Sequence, residues 1–160
     1  MKIFRYLIMM FISITLITSV YASKKRQPMQ VFINFSGLDE NAKAKTKQME
    51  QLTNFIKQDL KRKLKKLYDV SFVTDPSATT PENGLFMVYN IIKYNPGSTA
   101  ARYLVGFGAG SCSLDIKYEI LQDNNSILLK EDGCGSSRGW RKCVVKLNKN
   151  IQKNLKTQLK

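Results

Sequence analysis

The chain reads as an α+β domain, a mainly antiparallel sheet of about five strands with two amphipathic helices packed on one face. Three observations predict this. Residues 42–67 and 137–160 carry apolar side chains at spacings of three and four, as a helix with one buried stripe does. Several other stretches alternate or run apolar over strand lengths, and clusters of Gly, Pro, Asn and Asp separate them. A length of 160 residues suits one such domain.

In chain order, Lys2 and Arg5 precede an apolar run over 6–20, and Val20-Tyr21-Ala22 resembles a small-residue cleavage site. The expectation is a signal peptide over 1–22 and a single domain over 23–160. A retained membrane anchor fits less well, because the run is short and contains Ser13, Thr15, Thr18 and Ser19. A lipid anchor would need a cysteine at the cleavage point, whereas the first cysteine is Cys112. The sequence therefore predicts an exported chain, periplasmic or secreted, and not a lipoprotein.

Residues 23–30 are polar and basic and contain Pro28, which suggests a lead-in arm before a strand over 30–35, where Val31, Ile33 and Phe35 share a face. The helix over 42–67 follows. Met49, Leu52, Ile56, Leu60, Leu64 and Leu67 form its stripe, and Lys61, Arg62, Lys63, Lys65 and Lys66 crowd the end where the helix dipole favours positive charge. A second strand spans 68–74, and a loop over 75–83 contains Pro76 and Pro81. The stretch 84–94 is apolar on both faces, which predicts a central strand covered on both sides.

Residues 113–121 alternate cleanly, with Leu114, Ile116, Tyr118 and Ile120 inward and Asp115, Lys117 and Glu119 outward. Asp123-Asn124-Asn125 turns the chain into a second hairpin arm over 126–131. With the turn centred near Asn124, Cys134 lies opposite Leu114 and Cys112 opposite Ser136, so these two cysteines are diagonal neighbours about 7 Å apart, slightly wide for a disulfide. Cys134 with Cys143 is the favoured pair, which asks only that the chain fold back onto the first turn of the last helix. That helix runs from Ser137 to the end, with Trp140, Val144, Leu147, Ile151, Leu155 and Leu159 as its stripe and lysines over the rest of the cylinder. Trp140, the single tryptophan, is expected to anchor its docking.

The densest run of backbone specification lies between the central strand and the hairpin. Residues 95–112 read NPGSTAARYLVGFGAGSC, with Pro96 and Gly97 forming a turn and Gly106, Gly108 and Gly110 following a short apolar patch. A phosphate cradle is a poor reading, because the glycines do not open a helix. No histidine occurs anywhere, which excludes histidine-dependent triads, Cys-His pairs and His-containing zinc sites. A three-cysteine metal site is conceivable, but in an exported protein Cys112, Cys134 and Cys143 more naturally give one disulfide and one free thiol, so no metal is expected. Asp115 and Glu119 alternate with lysine on one strand face and read as solvated, so neither enzymatic activity nor a cofactor is expected. The formal charge of +14 falls to about +12 if Lys2 and Arg5 leave with a signal peptide. Such a balance favours anionic partners without naming one, and nothing indicates a specific nucleic acid.

The segment 95–120 resembles the signature of the bacterial family known as domain of unknown function 4410. Pro96, Gly97, Ser98, Ala101, Arg102, Gly106, Phe107, Gly108 and Gly110 fit it position by position. The resemblance implies an exported envelope protein without an established biochemical activity, in a family with many lipoproteins. The functional expectation is a noncatalytic envelope interaction module that contacts an envelope protein through Arg102, Tyr103, Gly106, Phe107, Gly108 and Gly110. Its rival is a basic protein that binds an anionic polymer or lipid surface through the two lysine-rich helices.

Overall fold

The structure, a computed structural model, describes residues 26–35, 46–75, 77, 80–97 and 111–158. Its elements are β1 (Gln27–Asn34), α1 (Thr46–Leu64), β2 (Tyr68–Val73), β3 (Leu85–Asn95), β4 (Cys112–Gln122), β5 (Asn125–Ser136) and α2 (Trp140–Gln158). The five strands make one sheet in the order β2-β1-β3-β4-β5. The α+β class therefore stands, with a qualification about strand direction. β3, β4 and β5 form an antiparallel meander, but β1 lies parallel to both β2 and β3. The parallel pairs follow from the connections. The chain segment containing α1 returns the chain between β1 and β2, and residues 74–84 return it again before β3. Eleven residues can reach about 36 Å, ample for a six-residue strand.

The core lies between one face of the sheet and the two helices. Met29 and Val31, Met87, Tyr89 and Ile91, and Leu114, Ile116, Tyr118 and Ile120 point from three adjacent strands toward Leu52, Ile56 and Leu60 of α1 and Val144, Leu147 and Ile151 of α2. β3 is the middle strand, and its second face is covered only in part: Phe86 is buried on the side away from the helices, while Val88 and Ile92 are half-buried. A bulge between Ile91 and Lys93 shifts the alternation by one residue. Tyr94 thereby returns to the core side.

Several boundaries differ from the sequence reading. β1 begins at Gln27 rather than after a lead-in arm, and Pro28 is tolerated because it sits at the strand's start, where a missing N–H costs little pairing. Residues 42–45 of the expected first helix lie outside the described residues; α1 is seen from Thr46 and gives way to a turn after Leu64, where the Leu67 amide donates to the Leu64 carbonyl. β5 runs to Ser136, five residues beyond the expected end, although its tail is polar and glycine-rich. Pairing along the whole of β4 holds it. Asp123 and Asn124 both take positive φ, 51° and 62°, and make the two-residue turn of this hairpin. α2 starts at Trp140, not Ser137, because Ser136 Oγ accepts from the Arg138 amide and Gly139 adopts φ 95°, which makes 136–139 a turn.

Candidate functional site

The two feet of the glycine-rich connection stand side by side at one end of the sheet. Asn95 at the end of β3 is paired with Ser113 near the start of β4. Beyond Asn95, its side-chain Oδ1 accepts from the Gly97 amide at 2.9 Å, and Gly97 takes φ 74°, so the Asn-Pro-Gly turn forms as its sequence demands. Residues 98–110 then join the two strands. Arg102, Tyr103, Gly106, Phe107, Gly108 and Gly110 all lie outside the described residues, as does the expected signal peptide.

A cleft of about 440 Å³ opens beside the first foot. Pro96 and Gly97 form one wall, Gln48 and Gln51 of α1 another, and Arg138, Gly139, Trp140 and Arg141 the third. Its aromatic corner is well ordered by contact: Trp140 meets Phe55 of α1 edge to face, with centroids 5.5 Å apart and planes at 88°. The Arg141 guanidinium sits 5.3 Å over Trp140 and 5.7 Å over Phe55. Trp140 thus anchors α2 on α1, as its position in the sequence suggested, and in the same stroke presents Arg141 at the cleft. Sequence reasoning missed Arg138, Arg141, Gln48 and Gln51. The one available signal was that Arg138 and Arg141 bracket Gly139-Trp140, which gains meaning only once the helix is known to start there.

A second cleft, about 360 Å³, lies between β5 and α2. Four of its polar groups pair with one another: Asn154 Nδ2 donates to the Tyr118 hydroxyl and Asn150 Nδ2 to Asp132 Oδ2, both at 2.6 Å. Burial raises the Tyr118 pKa, and the Asn154 contact opposes it. Asp115 and Glu119 do not converge on either cleft. Asp115 faces Gly133 across the β4–β5 ladder, Glu119 faces Leu129, and the lysine between them, Lys117, reaches Glu131 at 3.5 Å.

The expected Cys134–Cys143 disulfide is not formed. All three cysteines are buried free thiols. The predicted register is met, with Cys112 opposite Ser136 and Cys134 opposite Leu114. What the sequence could not place is the helix. With α2 starting at Trp140, Cys143 points down onto the end of the sheet; its thiol donates to the Cys134 carbonyl at 3.1 Å, and its sulfur lies 3.8 Å from that of Cys112. Burial first, and the two neighbouring thiols second, push the Cys143 pKa well up.

Fold and site together define a small α+β domain that offers a basic, aromatic cleft and a glycine-rich connection at one end of a mixed sheet. The chain belongs to the family described as Domain of unknown function (DUF4410), which matches it over residues 15–137. α2 lies beyond that match, yet supplies a large part of the core. No curated protein matches the chain. Among solved structures, a minor lipoprotein from Acinetobacter baumannii is similar at 12% identity and TM-score 0.39, covering 80% of this chain and 92% of the other. The PelC dodecamer from Paraburkholderia phytofirmans is similar at 12% identity and TM-score 0.42, covering 81% and 85%. A homolog of a neuraminyllactose-binding hemagglutinin from Helicobacter pylori is similar at 14% identity and TM-score 0.35, covering 84% and 88%. The expectation that this chain is not a lipoprotein stands against the minor lipoprotein among these neighbours and is not carried further.

Proposed function

We propose that this protein is a noncatalytic interaction module of the cell envelope that contacts an envelope protein through the connection 98–110 and the cleft at its foot. One observation carries the reading. The two ends of that connection rise from neighbouring, hydrogen-bonded strands in the middle of the sheet, directly beside a cleft whose Trp140 and Arg141 are held in place by Phe55. Tryptophan, tyrosine and arginine on a rigid base are the side chains that carry most binding energy at protein interfaces. A photo-crosslinking residue at Tyr103 in the native host tests the proposal. A discrete protein adduct that survives high salt supports it; capture of nothing, with envelope association lost on a salt wash, sinks it.

A second reading has its own support. α2 contains no acidic residue, and Lys142, Lys146, Lys149, Lys153 and Lys156 are all exposed; Lys61, Arg62, Lys65 and Lys66 of α1 and its following turn are exposed too. The outer helix layer would then bind an anionic polymer or lipid surface by charge. Steep weakening with rising salt distinguishes this mode from docking by the connection.

A further inference from the structure

The three cysteines come from three different elements and meet under the first turns of α2. Cys112 opens β4, Cys134 lies near the end of β5, and Cys143 is one turn into α2. Cys143 is fully buried and Cys112 is 1% exposed. Their sulfurs touch at 3.8 Å, and each thiol otherwise donates only to a backbone carbonyl, Cys112 to Ser136 and Cys143 to Cys134, both at 3.1 Å. Thiols are weak donors, so little is lost if those contacts break. A disulfide needs a sulfur separation of about 2.05 Å, which is less than 2 Å of closure for two side chains already in contact. Cys134 is placed differently. Its carbonyl oxygen takes the Cys143 thiol; its own thiol, although a neighbour of the Cys143 thiol, turns to the Gly135 carbonyl at 3.6 Å, and the ladder puts it diagonal to Cys112, at a spacing wide for a bridge.

We propose that Cys112 and Cys143 are an oxidisable pair whose disulfide staples the first turns of α2 to the start of β4, while Cys134 stays a thiol. The oxidant is a disulfide, of a small molecule or of a thiol-oxidising protein. One cysteine thiolate attacks it, forming a mixed disulfide and releasing one thiolate. The second cysteine then attacks its neighbour's sulfur and releases the other. The pair gives up two protons and two electrons, and the oxidant becomes two thiols. With both sulfurs buried, the bond closes as α2 docks and is sheltered afterwards. Cys112 is the second described residue after the connection 98–110, so the staple ties the return foot of that connection to the helix carrying Trp140 and Arg141. The inference does not depend on what that site binds.

The test uses the full chain refolded in a glutathione redox buffer and, in parallel, under dithiothreitol. Lys117, Lys130, Arg138 and Lys142 place tryptic cuts between all three cysteines, so peptide mapping reads the linkage directly. The oxidised protein should be lighter by two hydrogens, show Cys112 linked to Cys143 with Cys134 alone alkylated under denaturant, and melt about 10 °C above the reduced form. Cys134→Ser should keep both the linkage and the shift. Mapping of a Cys134–Cys143 or Cys112–Cys134 bridge, or three alkylated thiols after oxidation, would overturn the proposal. Should the Cys134→Ser chain fail to fold, the wild-type map alone decides.

Discussion

Asn148 of α2 donates through Nδ2 to Asp59 Oδ2 of α1 at 3.1 Å, across 89 positions of sequence, and both residues are essentially out of water. Arg62 and, at 4.0 Å, Lys63 face the other carboxylate oxygen, and the Tyr89 hydroxyl of the central strand reaches Asn148 Oδ1 at 3.5 Å. One polar node therefore joins both helices to the sheet. Asn148→Ala should cost about 2–4 kcal/mol, because it strands a buried carboxylate oxygen and opens a cavity. The check is a lower urea midpoint at unchanged slope. A loss below about 1 kcal/mol would mean that the node contributes little.

Gly84 sits where the loop after β2 enters β3. A Cβ there would come within 2.7 Å of the Pro28 carbonyl and 2.5 Å of Pro81, and the Gly84 amide donates to the Pro81 carbonyl at 2.8 Å. Backbone and two proline rings cannot step aside cheaply. Gly84→Ala should lose about 1–3 kcal/mol. Gly133→Ala is the matched control: its Cβ would meet only the Asp115 side chain, at 2.7 Å, which can swing away. Equal losses for the two variants would refute this account.

Burial, with a smaller contribution from the neighbouring Cys112, pushes the Tyr94 phenol up from 10.0 to about 12. The fold thus favours the neutral form. Above about pH 10 the unfolded chain gives up that proton first, so the contribution to stability is complete below pH 10 and is lost as pH rises toward about 12. Burial shifts the Tyr89 phenol in the same direction. Urea midpoints across this window should fall with pH, and Tyr94→Phe should flatten part of the fall. Parallel curves for the two proteins would show that Tyr94 does not couple to folding.

Much of this architecture was legible because periodicity reports burial. The stripe from Leu52 to Leu64, the two-faced run at Phe86 and Met87, and the alternation from Leu114 to Ile120 each appear where their spacing placed them. Strand direction was less legible. Nothing in the residues of β1 states that it lies between β2 and β3, although a helix between β1 and β2 was the clue to a parallel pair. The tail of β5 escaped because Glu131 to Ser136 has little strand propensity of its own and is held by its partner. The cysteine geometry and the cleft escaped for one shared reason: both depend on where α2 begins, and a turn at Ser136 and Gly139 moved that start by three residues.

The same helix permits a clean separation of the two functional readings. Lys142, Lys146 and Lys149 lie on the exposed side of α2, away from the buried Val144, Leu147 and Ile151. None of the three makes an ion pair among the described residues. Changing all three to Gln should therefore leave stability within about 1 kcal/mol of the parent. If the helix layer binds an anionic surface, retention on vesicles containing anionic lipid should fall, and its dependence on salt should become shallower, because fewer charges are neutralised on binding. Arg141→Ala should behave differently. It removes a side chain packed on Phe55 and Trp140 beside the connection, so it should weaken an adduct formed at position 103 while leaving vesicle retention nearly intact. The opposite pattern, with the adduct unaffected by Arg141→Ala and lost in the triple Gln variant, would move the contact from the cleft to the lysine face.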